Sequence, residues 1–293
     1  MNKNLVTVSI GQVSFKLKEE HDFRWLEQLG TVFCVFAEQD SGNLAFGVEK
    51  DGVKYFVKYA GAKTVEYEGE VSDAIVRLKH SIPIYEELKH PTLIELINHF
   101  QLENGYALVF KWVEGQCLHA HWTFDQYNKY THPKSSYYRY KQLPVEKRLR
   151  SLDKIFAFHK HVEEMGYLAV DFYDGSIMYD FENDRTTICD IDFYQKKPVI
   201  NKLGENYWGS PRFKAPEESE LGAIIDERTN VYTMGAIAFG LLGGETDHSA
   251  KKWEGNEQLY QIALGATELD RSKRYSSVKE FYDQWMKFSK IIY

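Results

Sequence analysis

Two stretches decide how this chain folds: GYLAVDFYDGS, from Gly166 to Ser176, and TICDID, from Thr187 to Asp192. The first leaves a helical pattern and places Asp171 just after it. The second is a short strand as far as Cys189 and then turns acidic at Asp190 and Asp192. A hairpin between them carries both segments to one edge, so two or three carboxylates can converge in a cleft. Packed carboxylates repel one another unless a cation neutralises them. Oxygen ligands suit Mg²⁺, which keeps several waters and takes one or two carboxylates plus substrate phosphates. Acids in loops are more often solvated than catalytic, so the reading turns on their surroundings.

On the N-terminal side the chain reads as strands. Thr31 to Phe36, Leu44 to Val48 and Val53 to Tyr59 are apolar and β-branched, separated by turn clusters at Asp40 to Asn43 and at Asp51-Gly52. A helix is predicted from Val71 to Leu88, with Pro83 kinking it or starting a new turn. Two further strands, Leu93 to Gln101 and Tyr106 to Trp112, flank a turn at Asn104-Gly105, and Val113 to Gly115 reads as a link. Beyond it the pattern turns helical. Val145, Leu149, Leu152, Ile155, Phe156 and Val162 recur at helix spacing, Val231 to Leu242 is apolar on all sides, and Val278, Phe281, Tyr282 and Trp285 mark a final amphipathic helix. The expected fold is α+β and bilobal: an N-terminal extension over 1–24, a small antiparallel β lobe over 25–112 and a larger helical lobe over 113–293.

Composition narrows the function classes. The chain has 293 residues, 43% hydrophobic and 27% charged, enough to bury a sizeable core. A net charge of −7 gives no general attraction to nucleic acid or to anionic membranes. Cys34, Cys117 and Cys189 are far apart and lack metal-ligand spacing, so neither a disulfide framework nor a zinc site is expected. Met1 to Ile10 has no apolar core of the signal-peptide kind, and no apolar run approaches the ~20 residues of a membrane span. A cytoplasmic protein is expected. The cluster His159-Lys160-His161 is expected on a helix surface, and Trp122, Tyr127, Tyr130, Tyr137, Tyr138 and Tyr140 as core and loop cover.

The order of segments resembles the protein kinase family over about residues 25 to 288. YFVK ending at Lys58 is similar to the strand-three lysine motif, and YALVFKWVEG from Tyr106 to Gly115 to the fifth strand and hinge. The stretch ending at Asp171 resembles the catalytic loop. ICDID from Ile188 to Asp192 resembles the metal-binding Asp-Phe-Gly motif. GSPRFKAPE from Gly209 to Glu217 resembles the Ala-Pro-Glu segment, NVYTMG from Asn230 to Gly235 the start of the central buried helix, and DRSKR from Asp270 to Arg274 the late arginine motif. Bacterial serine/threonine-kinase-like proteins are the nearer likeness. The resemblance implies ATP and Mg²⁺ as cofactors and a protein or small-molecule hydroxyl as acceptor, with no nucleic-acid or membrane partner. It places Lys58 on the α- and β-phosphates, Asp171 on the acceptor hydroxyl and Asp190 on Mg²⁺. Backbone groups of Lys111 and Val113 would meet adenine with Phe110 behind it. Ser41 and Gly42 would lie in the phosphate-covering loop, and Glu217 would pair with Arg274.

Several positions depart from the family pattern. Val170 stands where an arginine usually receives an activating phosphate, so no phosphate gating is expected through it. Ala169 replaces the loop histidine, Tyr173 a lysine near the γ-phosphate, and Ser176 an asparagine on a second Mg²⁺. Asp174 or Asp192 can compensate at the metal, and Asp192 is an alternative to Asp190. The loop from Ala37 to Asn43 has one glycine and two acids, unfavourable beside phosphates. Glu68 and Glu70 are candidates to pair with Lys58, while simple counting falls on Ser81. Three functions stay open: an active protein serine/threonine kinase, a pseudokinase acting as a binding or scaffold module, and a small-molecule kinase of the aminoglycoside or choline type. The Gly209 to Glu217 match argues against the last.

Overall fold

The structure, a computed structural model, describes residues 5 to 289. The ends of the expected first and last segments, at 1–4 and 290–293, lie outside the described residues. Two compact units emerge, one comprising residues up to Lys89 together with Ile94–Val113, the other His90–Leu93 and everything from Glu114 onward.

The first unit opens with a hairpin, β1 (Val6–Ile10) and β2 (Val13–Leu17). Next come β3 (Thr31–Phe36), β4 (Asn43–Lys50) and β5 (Val53–Ala60), then α1 (Val71–Glu87), β6 (Leu96–Leu102) and β7 (Gly105–Lys111). Strands β3 to β7 form one antiparallel sheet in the order β3-β4-β5-β7-β6. Asp51 and Gly52 both have positive φ, as the two-residue turn between β4 and β5 requires. The β6–β7 turn differs from expectation. Leu102 pairs with Gly105, so the turn residues are Glu103 and Asn104. Gly105 is needed instead for close approach, because a Cβ there would lie 2.3 Å from the Ala60 carbonyl oxygen.

The segment before residue 25 is packed into the core. Phe15, Leu17 and Phe23 join Leu26, Leu44, Phe46, Val57 and Tyr59 in the core, with Phe15 and Phe23 edge-on to Phe46. Helix α1 runs from Val71 to Glu87 with Pro83 inside it, rather than restarting there. Its buried face of Ala74, Leu78, Ser81, Ile84 and Tyr85 holds it in place, which outweighs the one backbone bond that proline removes.

In the second unit a short β8 (Gln116–Cys117) precedes α2 (Ser136–Lys141) and α3 (Val145–Glu164). Small strands follow: β9 (Tyr167–Leu168), β10 (Ile177–Asp180), β11 (Arg185–Ile188), β12 (Gln195–Lys196), β13 (Val199–Ile200) and β14 (Ile224–Ile225). Helices α4 (Glu227–Leu242), α5 (Glu257–Ala266) and α6 (Val278–Phe288) complete it. As expected, α4 is buried on nearly all sides, and Asp226 caps it by accepting from the Arg228 N–H at 2.9 Å. The expected strand at Leu93 begins only at Leu96. Thr92 and Leu93 belong instead to the second unit, where the Ile188 N–H donates to the Thr92 carbonyl at 2.7 Å.

Glu217 and Arg274 form the expected buried pair, bidentate at 2.7 and 3.0 Å, with the Thr229 hydroxyl also donating to Glu217 at 2.9 Å. Arg274 further donates to the carbonyls of Glu268, Arg228 and Leu269. Arg274→Ala would strand Glu217 in the interior, so it should cost about 3–5 kcal/mol. Urea denaturation measures this, and an unchanged midpoint would show that the pair carries no stability.

Candidate active site

The two deciding stretches are joined by a hairpin, as expected: Ile177 of β10 pairs with Ile188 of β11. The Cys189 N–H then donates to the Ser176 carbonyl at 2.9 Å, which ties the end of the first stretch to the start of the second. Asp171 and Asp190 both sit in the left-handed region, at φ 64° and 57°. Aspartate tolerates that conformation better than most residues, yet it remains a strained choice of the kind that clusters at functional sites.

Upstream of Asp171, Asn230 of α4 grips the loop. Its Oδ1 accepts from the Ala169 N–H at 2.8 Å and its Nδ2 donates to the Ala169 carbonyl at 2.9 Å. Downstream of Asp190, the Tyr194 hydroxyl meets His159 Nε2 at 2.8 Å. His159 is therefore no surface residue. It is buried in α3, with Nδ1 2.8 Å from the Ile155 carbonyl. Burial pushes its pKa down to about 3, so the ring is neutral. A carbonyl can only accept, so Nδ1 carries the hydrogen and Tyr194 donates to Nε2.

The Asp171 and Asp190 carboxylates act on the same two phenols. Burial raises the pKa of Tyr173 and of Tyr194, and both carboxylates raise each further. Both acids thus bear on the same two rings, and Tyr173 stays a neutral phenol. Ser176 is buried beside them and Asp192 is 8% exposed. Among the described residues no three His, Cys, Asp or Glu side chains gather as a metal-ligand set. Asp190, Asp192 and Ser176 are the oxygen groups here that could hold an ion drawing its other ligands from phosphate and water.

Asp174 does not stand in at the metal. It is fully buried, 2.5 Å from Lys129 Nζ and held by both terminal nitrogens of Arg212 at 2.9 and 3.1 Å. Burial alone would raise its carboxyl, but the Arg212 hydrogen bonds and the Lys129 charge hold it below the ordinary range. Sequence reasoning missed its partners Lys129 and Arg212, and Glu245 that pairs with both of them, because they are distant in the chain. The one local signal was a second acid three residues after Asp171.

The remaining expected residues lie in the first unit. Lys58 is half-buried in β5 between Ala45 of β4 and Leu108 of β7. Phe110 is buried against Tyr85 at 4.9 Å and Phe56 at 6.1 Å. The Lys111 N–H already donates to the Glu95 carbonyl at 2.9 Å, so it is not a donor for a base. Val113 is the last residue of the unit. Ser41 and Gly42 lie against α1: Arg77 donates to the Ser41 carbonyl at 2.6 Å, and a Cβ on Gly42 would fall 2.6 Å from the Tyr67 ring. Glu68 and Glu70 precede α1 rather than riding on its buried face, and Glu68 pairs with Lys18 at 3.3 Å.

Of the cysteines, Cys117 is pushed up to about 12 by burial, which keeps it a thiol. Tyr137 and Tyr140 of the aromatic insertion are buried, and the Tyr137 hydroxyl donates to the Gly240 carbonyl at 2.7 Å.

No protein-family model matches the chain. It is 24% identical over 168 residues to myosin light chain kinase family member 4 of Homo sapiens, across 57% of this chain and 39% of that protein. It is 25% identical over 207 residues to calcium-dependent protein kinase 5 of Plasmodium falciparum, across 68% of this chain and 34% of that protein. The chain thus spans between a third and two-fifths of the length of these relatives. The similarity supports a distant relationship to the protein kinase superfamily, and a mixed chain with a five-stranded antiparallel sheet is compatible with that fold. Among the described residues no helix is long and apolar enough to cross a membrane.

Glu218, next to Glu217, accepts from the Ala215 N–H at 2.7 Å, and burial pushes its pKa up to about 8 from an ordinary 4.5, with Glu217 and Asp171 adding to the rise. A carboxyl raised in the folded state contributes stability that is full below about 4.5 and is lost as pH climbs through about 8. Glu218→Gln removes that loss. The variant should match wild type at about pH 5 and melt several degrees above it at about pH 8. Equal melting temperatures at both pH values would mean that Glu218 is ionised in the fold.

Proposed function

We propose that the chain is an ATP-dependent phosphotransferase, most closely a protein serine/threonine kinase, which moves the γ-phosphate of Mg-ATP to a hydroxyl. The observation that supports this reading is the hairpin that ties the Asp171 stretch to the Asp190 stretch, with both aspartates in a left-handed backbone conformation. The distant similarity to two protein kinases points the same way.

In this reading Asp171 orients the acceptor hydroxyl and takes its proton on a carboxylate oxygen as the oxygen attacks phosphorus. Asp190 would hold Mg²⁺, with Ser176 and Asp192 as further oxygen candidates. The bound metal neutralises phosphate charge that would otherwise oppose attack. Lys58 supplies a cation to the α- and β-phosphates. Phe110 backs the adenine, and the backbone of Lys111, through its carbonyl, and of Val113 meets the base edge.

A scaffold reading, in which the fold binds without transferring, has one observation in its favour. The single glycine of the expected phosphate-covering loop is packed against Tyr67, and Arg77 holds the preceding carbonyl. A loop pinned to α1 has fewer free N–H groups to offer a phosphate.

A thermal shift with ATP, with and without Mg²⁺, followed by labelled-phosphate transfer to itself and to a generic protein substrate, tests the choice. Transfer with a Mg²⁺-dependent shift is the expected result; a shift without label favours the scaffold, and neither would overturn nucleotide chemistry altogether. Asp171→Asn should lower transfer by at least about a hundredfold with ATP binding largely intact. Asp190→Asn should remove the Mg²⁺ dependence of the shift. A preserved rate in the Asp171→Asn protein would exclude the role assigned to Asp171.

A further inference from the structure

Four charged side chains from distant stretches of the second unit meet in its interior, and the proposed transfer uses none of them directly. Asp174 follows Asp171 by three residues. Arg212 lies in the Gly209–Glu217 segment, Lys129 in the insertion before α2, and Glu245 just beyond α4. Arg212 grips Asp174 with both terminal nitrogens and also donates to Glu245. Lys129 Nζ bonds Asp174 at 2.5 Å, stands 3.7 Å from Glu245 and lies over the Tyr137 ring at 4.3 Å. The His119 Nδ1 accepts from Arg212 at 3.0 Å. Burial pushes His119 down to about 4, so it adds no charge. Two cations therefore face two carboxylates, and the cluster needs no outside anion.

Stability alone does not explain the arrangement. Desolvating four charges costs about as much as their attraction returns, and apolar residues would serve a core as well. The backbone bears a further cost, because Glu245 sits in the left-handed region at φ 63°, unusual for a glutamate. What a fork of N–H groups on a carboxylate does supply is a fixed geometry.

That geometry leads to Asp171. The Nε of Arg212 donates to the Ser210 hydroxyl at 3.1 Å. The carbonyl of Ser210 accepts from the N–H groups of Phe213 at 2.9 Å and Lys214 at 3.2 Å, forming the turn that carries the guanidinium. Gly209, one residue earlier, lies so close to the loop that a Cβ on it would stand 3.8 Å from the Asp171 Cα. A single guanidinium thus joins the residue three after Asp171 to the stretch that passes beside Asp171.

We propose that the Arg212–Asp174 pair, balanced by Lys129 and Glu245, is a built-in clamp that holds Gly209–Ser210 beside Asp171, so that the acceptor side of the site is ordered by internal carboxylates rather than by an added phosphate. Arg212 and Asp174 are then positioning residues. The consequence for rate rests on the phosphotransferase reading; the clamp itself does not.

Hydrogen exchange on the unmodified full chain, without nucleotide, reads the clamp directly. In Arg212→Gln the Phe213 and Lys214 amides should exchange at least about tenfold faster, while amides of α3 and α4 keep their protection. Arg212→Lys keeps the charge but cannot span Asp174, Glu245 and Ser210 together, so it should show the same local loss; it carries the test if the glutamine variant does not fold. Unchanged exchange at Phe213 and Lys214, or equal acceleration throughout the second unit, would overturn the proposal. In transfer assays Arg212→Lys should lower kcat and raise the KM for the acceptor, with the ATP-induced thermal shift unchanged. A chain that transfers nothing yet loses local protection keeps the clamp and loses the phosphotransferase reading. One that transfers at the wild-type rate with wild-type exchange loses the clamp alone.

Discussion

The paired hydrogen bonds between Asn230 and Ala169 join the most deeply buried helix to the loop that carries Asp171. An amide side chain is suited to this because it donates and accepts at once, matching both backbone groups of a single residue. Around that fixed point the rest of the acidic centre is tied down piece by piece. The Cys189 N–H bonds the Ser176 carbonyl, and Tyr194 bonds His159 inside α3. Two aspartates can then hold left-handed backbone conformations, because their surroundings over-determine the turn on either side.

Charge is handled in two different ways within this one unit. Asp171 and Asp190 lie on the less buried side of the unit, and both raise the pKa of the Tyr173 and Tyr194 phenols. Asp174, three residues on, is neutralised internally and fully by Lys129 and Arg212. Burial sets the demand on Asp174: a carboxylate sealed from water must find its cations inside the fold.

The first unit carries its own tension between likeness and function. Lys58 and Phe110 occupy a regular antiparallel sheet, held by a core that extends back to Phe15. The loop expected to cover phosphate is fastened to α1 through Arg77 and packs against Tyr67 just before that helix. Glycine's freedom there permits close packing with an aromatic ring.

Local pattern was enough for the regular elements. Period-two strands, the Asp51-Gly52 turn, the apolar run of α4 and the amphipathic last helix could all be read directly, because each records a periodicity imposed by its own backbone. The hairpin that brings Asp171 and Asp190 together was legible too, since β10 and β11 are neighbours in the chain. Reading failed where the cause was distant. The burial of His159 depends on Tyr194, the core role of Phe15 and Phe23 on β4, and the sealed state of Asp174 on Lys129 and Arg212, both drawn from elsewhere. By itself the sequence determined which segments form and which acids lie close along the chain. Only the tertiary structure decided that Asp174 is sealed from water and which cations meet it there, because desolvation and ion pairing act between parts of the chain that no local pattern connects.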